Sequence, residues 1–96
     1  MGIFGFLKRG RKIETETERR ERLLVRGRIT DGVILDSETS DQGNEVVHYS
    51  YTIHGVDFEA SEILTEEQVL SGRNYAPGAS VVIRFDPSNH GNSVLV

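Results

Sequence analysis

The chain has 96 residues, which suffices for one domain with a modest core but not for two domains of usual size. It has no Cys, which excludes disulfides, Cys-ligated metal sites and thiol nucleophiles. Residues 1–28 hold nine of the eleven Lys and Arg against four Glu, whereas residues 29–96 hold two Arg against eleven Asp and Glu. An acidic body repels polyphosphate, so a nucleic-acid role would depend on the N-terminal part of the chain.

The N-terminal arm, defined here as residues 1–12, places an apolar run before a basic cluster. The run is Ile3, Phe4, Phe6 and Leu7, and the cluster is Lys8, Arg9, Arg11 and Lys12. The run is too short for a membrane span, which needs about 20 apolar residues, and a signal peptide would carry its charge before the run. The pattern is typical either of a contact with an anionic membrane surface or a protein partner, or of a disordered terminus.

The segment that follows the arm, residues 13–22, has one bulky apolar side chain in ten and offers no face to bury. We expect a solvated linker, or alternatively a short helix with pairs such as Glu16 with Arg20. The predicted division is therefore an arm and linker over residues 1–22, followed by a folded domain over residues 23–96.

A first strand is predicted over residues 24–35. Its apolar side chains Val25, Ile29, Val33 and Leu35 fall on one side of an extended chain. The Asp31-Gly32 step indicates a bulge or a sharp bend. The polar residues 36–44 are expected to form an exposed loop.

Residues 45–62 alternate apolar and polar side chains on both sides of His54-Gly55, which predicts a β-hairpin with a two-residue turn. In that register Ile53 pairs with Val56, and three further pairs follow. These are Tyr51 with Phe58, Tyr49 with Ala60, and Val47 with Glu62. A slip of one residue would expose the aromatic side chains, so the register is well specified.

The C-terminal third is predicted to contain a short helix and two strands. Thr65 is the expected N-cap, Gln68 the third helical residue of a capping box, and Gly72 the stop. Ile63, Leu64, Val69 and Leu70 are expected to plug one end of the sheet. A type II turn at Pro77-Gly78 leads to a strand over residues 80–86, with Val81, Ile83 and Phe85 facing inward. A turn over residues 87–92 precedes a last, exposed strand, Ser93–Val96.

These spaced elements resemble the bacterial DUF3592 family over residues 24–96. The residues that carry the resemblance are Gly32-Val33-Ile34, Tyr49 through Phe58, Pro77 through Asn89, and Ser93-Val94-Leu95. The resemblance implies a small all-β domain of unknown function, commonly accompanied by membrane helices. This sequence shows no span, and the arm is the candidate for a reduced substitute. The family supplies no catalytic residues.

Candidate chemistry is sparse in this sequence. His48 and His54 lie on one strand with Cα atoms roughly 20 Å apart, so one metal ion cannot bridge them. Asp86 is interpreted as a cap of nearby backbone amides in a turn. Tyr49, Tyr51, Phe58 and Phe85 are interpreted as core, although such residues also form stacking platforms for nucleic acid. We expect no catalytic residue, no cofactor and no metal.

The predicted fold is all-β: a small, strongly curved, five-stranded antiparallel sheet of SH3-like or OB-like type, with one short helix and a flexible arm. The predicted function is that of a non-catalytic binding or accessory module, cytoplasmic and peripheral at the inner membrane or bound to a protein partner through Ile3–Lys12. The alternative is a nucleic-acid-binding barrel that uses the same arm. A second copy pairing with the last strand is a further possibility.

Overall fold

Five antiparallel strands form one curved, nearly closed sheet in the computed structural model, which describes residues 13–96. The elements are α1 (Glu16–Arg26), β1 (Arg28–Thr39), β2 (Glu45–Ile53), β3 (Val56–Ile63), α2 (Glu66–Leu70), β4 (Ser80–Asp86) and β5 (Asn89–Leu95). The strand order is β3-β2-β1-β4-β5, and the two end strands contact each other across a seam. The prediction of an all-β, barrel-like domain is therefore confirmed.

The central hairpin has the predicted register. Ile53 pairs with Val56, and all three further predicted pairs are present. His54 and Gly55 both have positive φ, at 50° and 80°, as a type I′ turn requires. The inward side chains of β2 are buried, so local alternation alone was sufficient to set this part of the core.

The start of the predicted first strand is wrong, because α1 occupies residues 24–26 and β1 begins only at Arg28. Thr15 caps α1 in a full capping box with Glu18, and the helix continues to Arg26. The structure therefore shows the short helix predicted as the alternative for residues 13–22, and not the solvated linker. Of the helix residues only Leu23 is buried, so α1 contributes one fully buried apolar side chain to the domain.

The predicted inward face of the first strand is also wrong. Ile29 and Val33 are 62% and 43% exposed, whereas Ile34 is 1% exposed and Gly32 is buried. The bulge lies at Leu35, where the register with β2 shifts, and not at Asp31-Gly32. Gly32 instead lies between β2 and β4, and a Cβ there would approach the Ser50 carbonyl oxygen to 2.7 Å.

The short helix α2 has the predicted cap but not the predicted packing. Thr65 and Gln68 form the capping box, and Gly72 follows with a φ of 78°. Val69 and Leu70 are exposed, as is Ile63 before them, so of the predicted plug only Leu64 packs against the core. The buried residue of α2 is Gln68.

The last two strands close the sheet. A turn at Ala76–Ala79, with positive φ at Gly78, leads into β4, whose Ile83 and Phe85 are buried as predicted. Strand β5 starts at Asn89, four residues earlier than expected, and Ser93, Val94 and Leu95 are all buried. The prediction of an exposed last strand is therefore wrong, because α1 and the seam cover it. The buried core cluster consists of Ile34, Val47, Tyr49, Tyr51, Ile53, Ile83, Phe85 and Leu95.

Candidate functional site

Helix α1 is fixed at the seam by its arginines. The Arg19 guanidinium donates to the Asn92 side chain at 2.6 Å and to the Ser93 carbonyl oxygen at 3.0 Å, both on β5. Arg22 pairs with Glu14 at 2.7 Å and with Asp86 at 3.3 Å. The bonds to Asn92, Ser93 and Asp86 reach strands that are far away in the sequence, and they place α1 beside β4 and β5.

Glu62 closes the seam from the side of β3. Its carboxylate accepts a hydrogen bond from the Leu95 backbone N–H at 3.1 Å and pairs with Arg20 at 2.8 Å. Gln68 donates to the Leu95 carbonyl oxygen at 3.3 Å. Side chains therefore bond the Leu95 N–H and the carbonyl oxygens of Leu95 and Ser93, which are outer groups of β5 that a neighbouring strand would otherwise use.

A cleft, here called the α1–β3 cleft, lies between the helix and the end of β3 and has a volume of about 560 Å³. Its walls are Glu16, Thr17, Arg19, Arg20, Glu21 and Leu24 from α1, and Ser61, Glu62, Ile63 and Thr65 from β3 and the residues after it. Leu24 and Ile63 give it an apolar part. The cleft joins an edge strand, a helix and a charged rim in one place.

A buried carboxylate beside a cleft is the sign that would favour an enzyme. Burial raises the pKa of Glu62, while the hydrogen bond from the Leu95 N–H and the charges of Arg20 and Arg19 lower it. Both carboxylate oxygens have partners that hold the seam together, since one accepts from Leu95 and the other from Arg20. The contacts of Glu62 therefore indicate a structural role.

The histidines lie where no single site can use all three. His48 bonds Ser61 through Nδ1 at 2.6 Å and Glu38 through Nε2 at 2.8 Å, on the outer face of the sheet. The rings of His54 and His90 are 6.1 Å apart. Over residues 13–96 no three His, Asp or Glu side chains are grouped so that they could hold a metal ion.

Two interpretations of turn and aromatic residues are confirmed. Asp86 accepts a hydrogen bond from the Ser88 backbone N–H at 2.7 Å, which is the predicted cap. Tyr49, Tyr51 and Phe85 are buried and Phe58 packs against them, so the aromatic residues form core. Their rings do not present a stacking platform.

The arginines of the folded part of the chain are mostly engaged inside the domain. Arg19, Arg20 and Arg22 pair with carboxylates. Arg84 donates to the Gly27 carbonyl oxygen, and Arg73 to that of Val96. Most guanidinium groups of residues 13–96 are therefore occupied by partners within the domain.

The structure leaves the predicted contact residues untested and reveals a site that the sequence did not indicate. Ile3, Phe4, Phe6, Leu7, Lys8, Arg9, Arg11 and Lys12 lie outside the described residues. The α1–β3 cleft was missed because α1 was interpreted as a linker. The signal that could have found it is the capping box Thr15-x-x-Glu18 at the start of the helix.

The family model described as "Domain of unknown function (DUF3592)" matches residues 25–96. The comparisons with curated proteins and with solved structures found no match. Within residues 13–96, neither helix has the length and apolar character that crossing a membrane requires.

Proposed function

Because the chain belongs to the DUF3592 family, whose description assigns no function, we propose from charge and geometry that it is a non-catalytic binding module whose arm contacts an anionic membrane surface. The supporting observation is the separation of charge. The arm carries four basic residues and no acidic one, whereas residues 13–96 carry seven Arg against fifteen Asp and Glu.

The position of the arm agrees with this proposal. The arm joins the domain at Ile13, next to α1, which Arg19, Arg20 and Arg22 fix to the sheet. An anionic surface attracts the arm and repels the acidic body, so the domain would be held off the surface by its own charge. Such a module is peripheral, on the cytoplasmic face of the inner membrane.

The contribution of the arm can be approximated from its composition. Juxtamembrane basic residues contribute about 1 kcal/mol each near an anionic surface, and the apolar side chains add burial in the interface. The four basic residues together therefore correspond to roughly a thousandfold increase in membrane affinity at low salt. The increase becomes smaller as added salt screens their charges.

Flotation with liposomes tests the proposal. The full chain is compared with a charge variant, Lys8→Gln, Arg9→Gln, Arg11→Gln and Lys12→Gln combined, and with an apolar variant, Phe4→Ser and Phe6→Ser combined. We expect the full chain to float with phosphatidylserine liposomes but not with phosphatidylcholine ones, and both variants to float less. Absence of flotation of the full chain with the anionic liposomes would overturn the membrane proposal.

The nucleic-acid alternative relies on the same arm and is an outcome of the same test. Binding of single-stranded or duplex DNA with a steep salt dependence, together with indifference to lipid, would favour it. The acidic body argues against it, because most arginines of the body are already engaged.

A further inference from the structure

Two of the three histidines lie side by side in the structure. His54 is in the turn between β2 and β3, His90 is in β5, and the centroids of their rings are 6.1 Å apart. Within residues 13–96 neither ring takes part in a hydrogen bond or an ion pair, whereas both ring nitrogens of His48 are bonded, to Ser61 and Glu38. The fold therefore brings together the two histidines whose nitrogens are unoccupied, a pair that their spacing in the sequence did not predict.

Both rings are positioned so that their nitrogens are open to water. His54 is exposed and starts the tight turn with a φ of 50°. His90 is half-buried, since the Tyr51 hydroxyl donates to its carbonyl oxygen at 2.6 Å and its ring stands at 85° to that of Phe85. In the described part of the chain the Tyr75 hydroxyl is the one buried side-chain polar atom without a partner, so the unbonded nitrogens of His90 reach solvent.

The separation of the two rings is that of two imidazoles on one metal ion. With metal–nitrogen bonds of about 2.1 Å, the centroids of two such rings lie roughly 4.5–6.5 Å apart, depending on the angle at the metal. The observed 6.1 Å falls within this range. Because the His54 ring is exposed, rotation about its side-chain bonds can direct a nitrogen toward the point that a nitrogen of His90 faces.

The chemistry of the pair selects the class of ion. Imidazole nitrogen is a ligand for Cu²⁺, Zn²⁺ and Ni²⁺, whereas Mg²⁺ and Ca²⁺ take oxygen ligands. For a given set of nitrogen ligands Cu²⁺ binds most tightly of the divalent first-row ions. The rest of the domain attracts a cation, since residues 13–96 carry seven Arg against fifteen Asp and Glu.

We propose that His54 and His90 form a surface site for one divalent transition-metal ion, with Cu²⁺ bound in preference to Zn²⁺. The two imidazole nitrogens are the ligands that the protein supplies, and the remaining coordination positions are open to water or to a donor from another molecule. This inference goes beyond the proposed function, because it involves neither the arm nor an anionic surface. The site and the membrane contact can therefore fail separately.

Paramagnetic broadening by Cu²⁺ tests the location of the site in the full chain. Cu²⁺ is added in small fractions of an equivalent while the ring-proton NMR signals of the three histidines are followed. We expect the signals of His54 and His90 to broaden at a Cu²⁺ concentration at least about tenfold lower than the signal of His48. Broadening of all three histidines at the same Cu²⁺ concentration would indicate an adventitious ion only and would overturn the inference.

Three single substitutions test the ligands by calorimetric titration with Cu²⁺ and, separately, with Zn²⁺. His54→Asn removes the imidazole but keeps a residue that tolerates positive φ and favours a tight turn before glycine. His90→Phe keeps an aromatic ring at the contact with Phe85, and His48→Gln is the matched control. We expect His54→Asn and His90→Phe each to weaken the affinity for both ions at least about tenfold, and His48→Gln to change it less than about twofold.

The other outcomes of these titrations each contradict part of the inference. Unchanged affinity in both His54→Asn and His90→Phe would indicate an adventitious ion only, and a loss in one of them alone would contradict a shared ion. Affinity for Zn²⁺ equal to that for Cu²⁺ would contradict the stated preference. Circular dichroism confirms that all three variants are folded.

Thermal unfolding gives a readout that binding to a single histidine would not move. His54 and His90 are far apart in the sequence, so an ion that both bind stabilises the folded chain over the unfolded one. We expect saturating Zn²⁺ to raise the unfolding temperature of the natural chain and of His48→Gln, but not that of the combined His54→Asn, His90→Phe variant. Equal shifts in all three proteins would overturn the inference.

Discussion

Tyr75 carries a buried hydroxyl group without a hydrogen-bond partner in the described part of the chain. An unpaired buried hydroxyl costs about 1–3 kcal/mol, so we expect Tyr75→Phe to raise the free energy of unfolding by about 1 kcal/mol. Tyr51→Phe is the matched control, because that hydroxyl donates to the His90 carbonyl oxygen at 2.6 Å and its loss should cost about 1 kcal/mol. Urea unfolding measures both, and equal losses would contradict the prediction.

Gly32 is needed for a close approach between three strands. A Cβ there would lie 2.2 Å from Ile83 Cδ1 and 2.7 Å from the Ser50 carbonyl oxygen, so Gly32→Ala should lower the free energy of unfolding by about 2 kcal/mol. A Cβ added at Gly91 would have as its nearest atom a Phe58 ring carbon at 3.6 Å, which is an ordinary contact. Gly91→Ala should therefore change the free energy of unfolding by less than about 0.5 kcal/mol. Thermal unfolding distinguishes the two, and a tolerated Gly32→Ala would refute this packing.

At the scale of elements, α1 buries Leu23 and exposes Val25, two residues that a strand would place on the same face. Leu23 is 1% exposed and Val25 is 77% exposed. We expect Leu23→Ala to lower the free energy of unfolding by about 3 kcal/mol, and Val25→Ala to lower it by less than about 0.5 kcal/mol. In an extended chain Leu23 and Val25 lie on the same face, so a strand with Val25 inward predicts similar losses for the two variants. Denaturant titration of both variants therefore decides between helix and strand.

The elements that could be predicted are those with local determinants. The β2–β3 hairpin follows from alternation around His54-Gly55, and α2 from the capping box of Thr65 and Gln68. Helix α1 could not be predicted, because its partners are distant in the sequence. Arg19 bonds Ser93, 74 residues away, and Arg20 bonds Glu62, 42 residues away. A polar helix that buries one leucine resembles a linker until those partners are known, and the α1–β3 cleft was hidden for the same reason.

At the scale of the whole molecule, carboxylates fall into two groups with opposite effects on stability. Hydrogen bonds from Arg22 and Arg19 lower the pKa of Glu14 and Glu16, and one from the Ser88 N–H lowers the pKa of Asp86. These three carboxylates stabilise the folded state at pH values above their ordinary pKa values. That stabilisation is lost as the pH falls through their lowered pKa values in the folded state. Burial raises the pKa of Glu62, so its folded state binds a proton more tightly than the unfolded chain does.

The contribution of Glu62 to stability therefore depends on pH in the opposite direction. It is most favourable below the ordinary Glu pKa of 4.5 and declines as the pH rises through the raised pKa in the folded state. Glu62→Gln keeps an acceptor for the Leu95 N–H and removes the titration. We expect the free energy of unfolding of the natural chain, relative to this variant, to fall between pH 4.5 and neutral pH and then to level off. Urea titrations at one-unit intervals from pH 4 to 8 measure this difference, and a difference that grew with pH would show that ion pairing with Arg20, rather than burial, dominates at the seam.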